Sequence, residues 1–434
     1  MAAESPPEAL LQYAWQTLAF DTQGLRCTDG QPVALVQPGR LNTDQGPDFS
    51  DARIRIGDAL WAGPVEIHRT SADWYAHGHD RDPAYNAVVL HVVAHSTGQP
   101  VLRADGTAIP ELELGPRLAP ELLSRSAALL AGIGSFPCAN LIHQVQPFYV
   151  RRWLQRLGWD RIEQKAARVR AIHRATGQDW QQTAWVTLAR AFGTHVNKEA
   201  FEAWALRLPV RHLQRLADQP ASAEALVLGS AGFANSDSAE SVNDDSYWQT
   251  LLGDWAHLRA KHQLADQPPV AFRHARLRPP NFPELRLVQL AALLCTFPNL
   301  IQVLEQPRQL VDTDRTIAPS DFWRGHFRAA TPASRPASRA LSVGFRTTLL
   351  INCVVPVALC YGEAKGETDH REALMGLLEE LPAESNRTTA IYEAAKIRPG
   401  SALESQGMLL LEAEYCTPKH CLRCEIGHRL LRQS

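Results

Sequence analysis

A change of hydrophobic period near residue 115 constrains this chain more than any other feature of its sequence. Before that point, short runs alternate apolar and polar residues as strands do; after it, apolar residues recur every three or four positions as in helices. Pro32 to Val36, Ala52 to Ile56 and Leu60 to His68 alternate, and Gly57-Asp58 between the last two is a hairpin turn signal. Ala87 to His95 reads as a buried strand, and Val101 to Ala104 and Leu112 to Leu114 as two short strands around Asp105-Gly106. Ahead of them, Glu8 to Phe20 carries Leu10, Leu11, Ala14 and Trp15 at helical spacing behind Ser5-Pro6-Pro7. Ser71 to Asn86 leaves room for a short helix or an ordered loop. Residues 1–115 therefore read as an α/β unit and 116–414 as a large mainly α-helical domain. That domain is punctuated by the polar Gly229 to Asp245 loop, by Pro268-Pro269 and Pro279-Pro280, and by a linker at Thr331 to Arg339. Residues 415–434 form a short cysteine-rich segment. The class expected is α+β.

Composition narrows the function classes. With 45% hydrophobic and 21% charged residues the chain is not disordered, and 44 Lys and Arg against 46 Asp and Glu leave no global charge to attract a nucleic acid. Any basic face must be local. The longest apolar runs, Val288 to Cys295 and Leu349 to Val355, fall far short of the roughly 20 residues a bilayer needs, so no membrane partner is expected. The N-terminus lacks the features of a signal peptide, which points to a cytoplasmic, reducing setting in which eight cysteines serve as thiols or metal ligands.

Three constellations carry chemistry. Glu66 and His68, two apart on a strand, leave the same face, and the hairpin turns Asp48 back beside Glu66. Two converging carboxylates suit Mg2+ or Mn2+ with positions open for water and a phosphate oxygen. Five of the 16 histidines lie within residues 68–95. Among them His77 and His79 are alternative ligands, which supports a rival reading as a His/carboxylate metallohydrolase of a small substrate, whereas His91 reads as a hydrogen-bonded core residue. At the C-terminus, Cys416-x4-Cys421-x2-Cys424 has the spacing of a thiolate metal site, closed either by His428 nearby or by Cys138 from a distance, with Zn2+ the simplest occupant. Cys27, Cys295, Cys353 and Cys360 are isolated and read as core residues. Finally, Arg151 to Arg174 and Arg276 to Arg286 are locally basic, and Arg151, Arg152, Arg156, Arg278 and Arg286 are candidates to meet nucleic-acid phosphates.

The Pro47-Asp48 and Glu66-Ile67-His68 pair, set in the order helix, strand, hairpin, strand, resembles the PD-(D/E)XK nuclease superfamily. The resemblance implies a restriction-endonuclease-like α/β core, a Mg2+- or Mn2+-dependent phosphodiesterase acting on DNA or RNA, and a further metal-reaching glutamate on the first helix, here Glu8. His68 stands where the superfamily places a lysine. Some of those nucleases also hold an iron–sulfur cluster on one distant cysteine and a C-terminal trio, which offers a cluster as the alternative to zinc; there the single cysteine precedes the core, whereas Cys138 follows it. Several segments together resemble the bacterial domain of unknown function 2851 family: Leu11 to Gln16, Pro38 to Asn42, Gly46 to Phe49, Trp61 to His68, Asp73-Trp74, His77 to His79, Arg276 to Pro283 and Tyr415 to Gly427. The expectation is thus a metal-dependent nuclease or a nuclease-derived nucleic-acid-processing protein. A non-catalytic nucleic-acid or protein-binding module on the same core, and the small-substrate metallohydrolase, stay open beside it.

Overall fold

The computed structural model describes residues 5–42, 45–132, 134, 136–234, 246–264, 270–328 and 331–432. Most of the loop read at Gly229 to Asp245 (235–245) and the Pro268-Pro269 break lie outside the described residues. The chain divides into two compact units whose limits differ from the partition at 115 and 414. The first comprises 1–154, 386–398 and 408–434, the second 155–385 and 399–407. The boundary falls inside the 29-residue helix Pro147–Ala175, where neither composition nor period changes, so nothing in the sequence marks it.

In the first unit, helix α1 (Glu8–Thr17) is followed by β1 (Val33–Gln37), β2 (Arg40–Leu41), β3 (Phe49–Ile56) and β4 (Ala59–Thr70). Helix α2 (Ala72–Ala76) leads to β5 (Leu90–His95), the small hairpin β6 (Val101–Leu102) and β7 (Ala108–Ile109), and β8 (Glu111–Glu113). The sheet runs β1-β3-β4-β5-β8, with β2 also on β3. The hairpin closes where the turn signal lies, Ile56 opposite Ala59. β4 then pairs in parallel with β5, Glu66 beside His91, and β5 in parallel with β8, His91 beside Glu111. Parallel pairing buries both faces of β5, which explains its uninterrupted apolar and β-branched reading. A bulge in β3 between Phe49 and Ala52, with Asp51 at φ +57°, bends the strand just beyond Asp48.

Leu10, Leu11, Ala14 and Trp15 of α1 are fully buried, and the Trp15 indole donates to the Pro38 carbonyl at 2.9 Å, fastening α1 to the turn between β1 and β2. In that turn Gly39 sits at φ +93°, and a Cβ there would lie 2.5 Å from the Ser50 carbonyl oxygen. Gly39→Ala is therefore expected to cost about 1–3 kcal/mol in urea unfolding; a variant as stable as wild type would show that the turn tolerates a side chain.

The second unit is helical around a core that includes Trp185, Phe192, Phe201 and Trp204. The apolar run at Val288 to Cys295 lies in its buried helix Pro283–Thr296. A small ribbon, His326–Arg328 with Thr331–Pro332, occupies the start of the segment read as a linker. The run at Leu349 to Val355 belongs to a longer helical stretch than its apolar residues suggest. Val343–Lys365 is long and apolar enough to cross a membrane, yet 72% of that window is buried within the protein, as in a core helix.

A candidate metal centre

The first unit gathers the acidic and histidine residues at one end of its sheet. Where the β3–β4 ladder is interrupted, Asp48 and Glu66 hold each other. The Asp48 backbone N–H donates to Glu66 Oε2 at 2.9 Å, and the Ile67 N–H donates to Asp48 Oδ2 at 3.1 Å. Gln12 of α1 donates to Asp48 Oδ1 at 2.9 Å and to Glu8 Oε1 at 3.4 Å, so the first helix brings its glutamate to the same corner. The other Glu66 oxygen, Oε1, lies 3.5 Å from His68 Nε2 and 3.4 Å from His79 Nε2. His77, on the turn after α2, places Nδ1 3.1 Å from His68 Nε2. His68, His77 and His79 bring one ring nitrogen each within 4.8 Å of one another. One ion about 2.1 Å from each nitrogen could bridge such a trio after small side-chain adjustments.

Behind this face runs a relay that fixes which nitrogen is free. Glu111 Oε2 lies 3.0 Å from His91 Nδ1, and His91 Nε2 lies 2.9 Å from His68 Nδ1. An ionised Glu111 can only accept, so His91 carries its proton on Nδ1, its Nε2 accepts from His68 Nδ1–H, and the lone pair of His68 is left on Nε2, facing Glu66 and His77. Burial opposes ionisation of Glu111, but hydrogen bonds from His91, Ser96 and Ser71 outweigh it and hold its carboxyl below the usual range. This is the carboxylate–histidine support that metal-ligating imidazoles use, lengthened by one histidine.

The electrostatics match a site prepared for positive charge. Burial, then the neighbouring imidazoles, push His68 down to about 2, and burial with His77 pushes His79 down to about 4, so both are neutral at physiological pH with lone pairs available. Burial, then the Asp48 charge, raises Glu66 to about 8. Burial also raises Asp48 and Glu8, against the lowering influence of Arg423 on both. Arg423 is exposed and reaches Gln12 Oε1 at 3.4 Å. It is a cation of the C-terminal tail that acts on this corner, and it lies between two of the tail cysteines.

The four cysteines of the second constellation also converge. Cys138, Cys416, Cys421 and Cys424 are all buried, and burial first, then the charges of the other three, raises the Cys138 thiol. Cys416 arrives on a π-helical turn, Leu411–Cys416, and its sulfur lies 3.4 Å from the Tyr392 hydroxyl. Cys421 opens the short turn Cys421–Arg423, and Cys424 precedes the helix Glu425–Arg432. His428 is turned elsewhere: its Nε2 lies 2.7 Å from the Leu422 carbonyl and its ring packs on Tyr13. The distant cysteine thus stands with the trio.

The basic candidates do not form one set. Arg151 and Arg152 are exposed in the first unit and Arg156 in the second, where it pairs with Asp160 at 4.0 Å. Arg278 is exposed. Arg286 is not an open phosphate contact: its guanidinium bonds Gln289 and Asn281 and covers the Phe345 ring at 4.4 Å, bracing the helix start it belongs to. Gln12, Glu111 and Arg423 escaped the sequence reading. For Glu111 the available signal was an acid that opens the short strand Glu111–Glu113 two residues before a second acid, Glu113; for Arg423 it was a cation enclosed by the cysteine spacing.

The chain matches the family described as Protein of unknown function (DUF2851) over residues 8–387, so the tail with Cys416, Cys421, Arg423 and Cys424 lies beyond the matched span. No curated protein and no solved structure matches it.

Proposed function

The chain belongs to the DUF2851 family, and we propose that it is a metal-dependent hydrolase of phosphodiesters. The observation that carries this reading is the convergence of three imidazole nitrogens and the Glu66 carboxylate, with a Glu111–His91 relay holding the His68 lone pair inward. Imidazole-rich donors favour Mn2+ or Zn2+ over Mg2+, which prefers oxygen and water. His68, His77, His79 and Glu66 would hold the ion, with Asp48 and Glu8 behind them. When bound, such an ion supplies the positive charge that eases deprotonation of a water and offsets charge building on a phosphoryl oxygen.

The chain's own groups do the rest. Asp48, its two oxygens engaged by Gln12 and the Ile67 N–H, holds the Glu66 corner in register. Arg423 supplies the permanent positive charge that His68 cannot, and a guanidinium suits a phosphate oxygen. The helix glutamate, the acid before the hairpin and the Glu-x-His strand support kinship with PD-(D/E)XK nucleases, with Arg423 taking the electrostatic part of the missing lysine. The four thiols in the tail would hold Zn2+ or, as the alternative, an iron–sulfur cluster.

A second reading, hydrolysis of a small substrate, is favoured by one feature, the predominance of histidine among the candidate ligands. One assay covers both. Metal-stripped protein is reloaded with Mn2+, Zn2+ or Mg2+ and offered labelled DNA, RNA and bis(p-nitrophenyl) phosphate. Turnover of all three with Mn2+ or Zn2+ supports the nuclease, and turnover of the small diester alone supports the second reading. Stoichiometric metal without turnover of any would leave a binding module.

A further inference from the structure

The second unit contains a cleft of about 530 Å3 that the hydrolytic reading does not use. Its size lies within the usual range for small-ligand sites. Arg161, Lys165 and Arg168 recur at i, i+4 and i+7 of helix Pro147–Ala175 and so share the face that lines it. Arg190 and Lys198 line it from helices Trp180–Phe192 and Thr194–Arg207. Five of its fifteen described lining residues are cationic and none is acidic.

Glutamates outside the lining compensate part of this charge. Glu202 takes Arg190 at 2.6 Å and Arg168 at 3.8 Å, and Glu199 takes Lys198 at 3.7 Å. Deeper in, only neutral oxygens meet the Lys165 ammonium, Asn352 Oδ1 and Gln406 Oε1, each at 2.6 Å. Burial, then the Arg161 charge, brings Lys165 down to about 7 against the raising influence of Glu384, whose carboxylate accepts from Asn352 and Gln406. Holding like charges together in a partly dry cleft is costly unless an anion joins them.

Two backbone irregularities lie on the cleft wall. Thr194, β-branched, stands at φ +53°, and Asn352 is presented from a π-helical turn, Leu350–Val354. Both departures recur at binding sites, where function maintains what stability alone would not. The lining also includes half-buried Phe345, one side of whose ring carries the Arg286 guanidinium at 4.4 Å and whose remaining surface is the cleft's aromatic contact for the rest of a ligand.

We propose that this cleft binds a nucleotide-sized phosphorylated small molecule, its phosphates against Arg161, Lys165, Arg168 and Lys198 and its body against Phe345. The proposal does not depend on the hydrolytic site, because none of these residues belongs to it. The test is calorimetric titration of the full chain, without divalent metal, using ATP, tripolyphosphate and adenosine, and a single-stranded oligonucleotide as an added probe. Saturable ATP binding, weaker tripolyphosphate binding and none by adenosine are expected. Arg168→Ala and Lys198→Ala, both at exposed positions and so expected to fold, should each weaken ATP binding about tenfold, the effect of losing one charge-assisted contact. Glu66→Gln should leave the affinity unchanged. No saturable ATP binding at millimolar concentration, variants that bind like wild type despite native melting temperatures, or binding of the oligonucleotide with none of ATP would each overturn the proposal.

Discussion

Replacing Glu66 by Gln is expected to abolish tight metal binding and to lower phosphodiester turnover about a thousandfold, the effect of several kcal/mol of lost charge stabilisation. Glu66 is the residue on which the corner depends: one oxygen holds the Asp48 N–H, and the other faces His68 and His79. The amide is nearly isosteric, so the fold should persist. The metal-free variant should match or exceed wild type in stability above about pH 8, where wild type is forced to bury the ionised Glu66 carboxylate and the variant buries a neutral amide. The sign follows from the raised carboxyl. A group whose folded pKa lies near 8 instead of near 4.5 contributes stability that is complete below 4.5 and lost as pH rises through 8. Wild-type apoprotein should thus lose stability between those limits and Glu66→Gln should not. His91→Ala, one step further back, should reduce metal affinity by about 10–100-fold without abolishing it, since it removes the support of His68 and no ligand. Metal content after dialysis, thermal melting against pH and hydrolysis of bis(p-nitrophenyl) phosphate give the three readouts. Stoichiometric metal and full turnover in Glu66→Gln would place the chemistry elsewhere.

Local spacing made part of this corner readable and topology hid the remainder. A hairpin closed by Gly57-Asp58 fixes its register as far as Ala52 opposite Gly63, and alternation puts His68 on the Glu66 face; unbroken, that register would set Asp48 opposite Ile67, and the bulge between Phe49 and Ala52, which no turn signal announces, moves it to Glu66. The density of histidines after β4 marked His77 and His79 before their geometry was known. His91 and Glu111 reach His68 through two parallel pairings across crossovers, and no local pattern states which residue of β5 lies beside Glu66 or which of β8 beside His91. That Cys138 approaches the tail trio was equally beyond spacing: it depends on how a distant segment packs within the first unit. The partition at residue 415 departs from the compact units for a related reason. The tail's apolar side chains, Ile426, Leu430 and Leu431 among them, are buried in the first unit, a long-range packing that a short basic segment does not advertise.

That packing couples the cysteines to the candidate centre. Arg423 lies on the turn Cys421–Arg423, and α1, which carries Glu8 and Gln12, packs against this turn. The helix that follows fits closely: a Cβ on Gly427 would lie 1.9 Å from the Cys421 carbonyl oxygen. A metal or cluster on the four thiols would hold the turn, and hence the guanidinium, at a fixed place beside Asp48. Cys421→Ser is therefore expected to release that group, lower the melting temperature and reduce hydrolysis together. Arg423→Ala should separate these effects, leaving metal or iron content and melting temperature at wild-type values while kcat/KM for the diester falls by about 10²-fold, the order of loss when one preorganised donor to a developing oxyanion is removed. Arg423→Lys, which restores charge but not the fork, should recover part of it. A purely structural tail predicts the opposite pattern, in which Arg423→Ala is silent and activity tracks the melting temperature across all the cysteine variants.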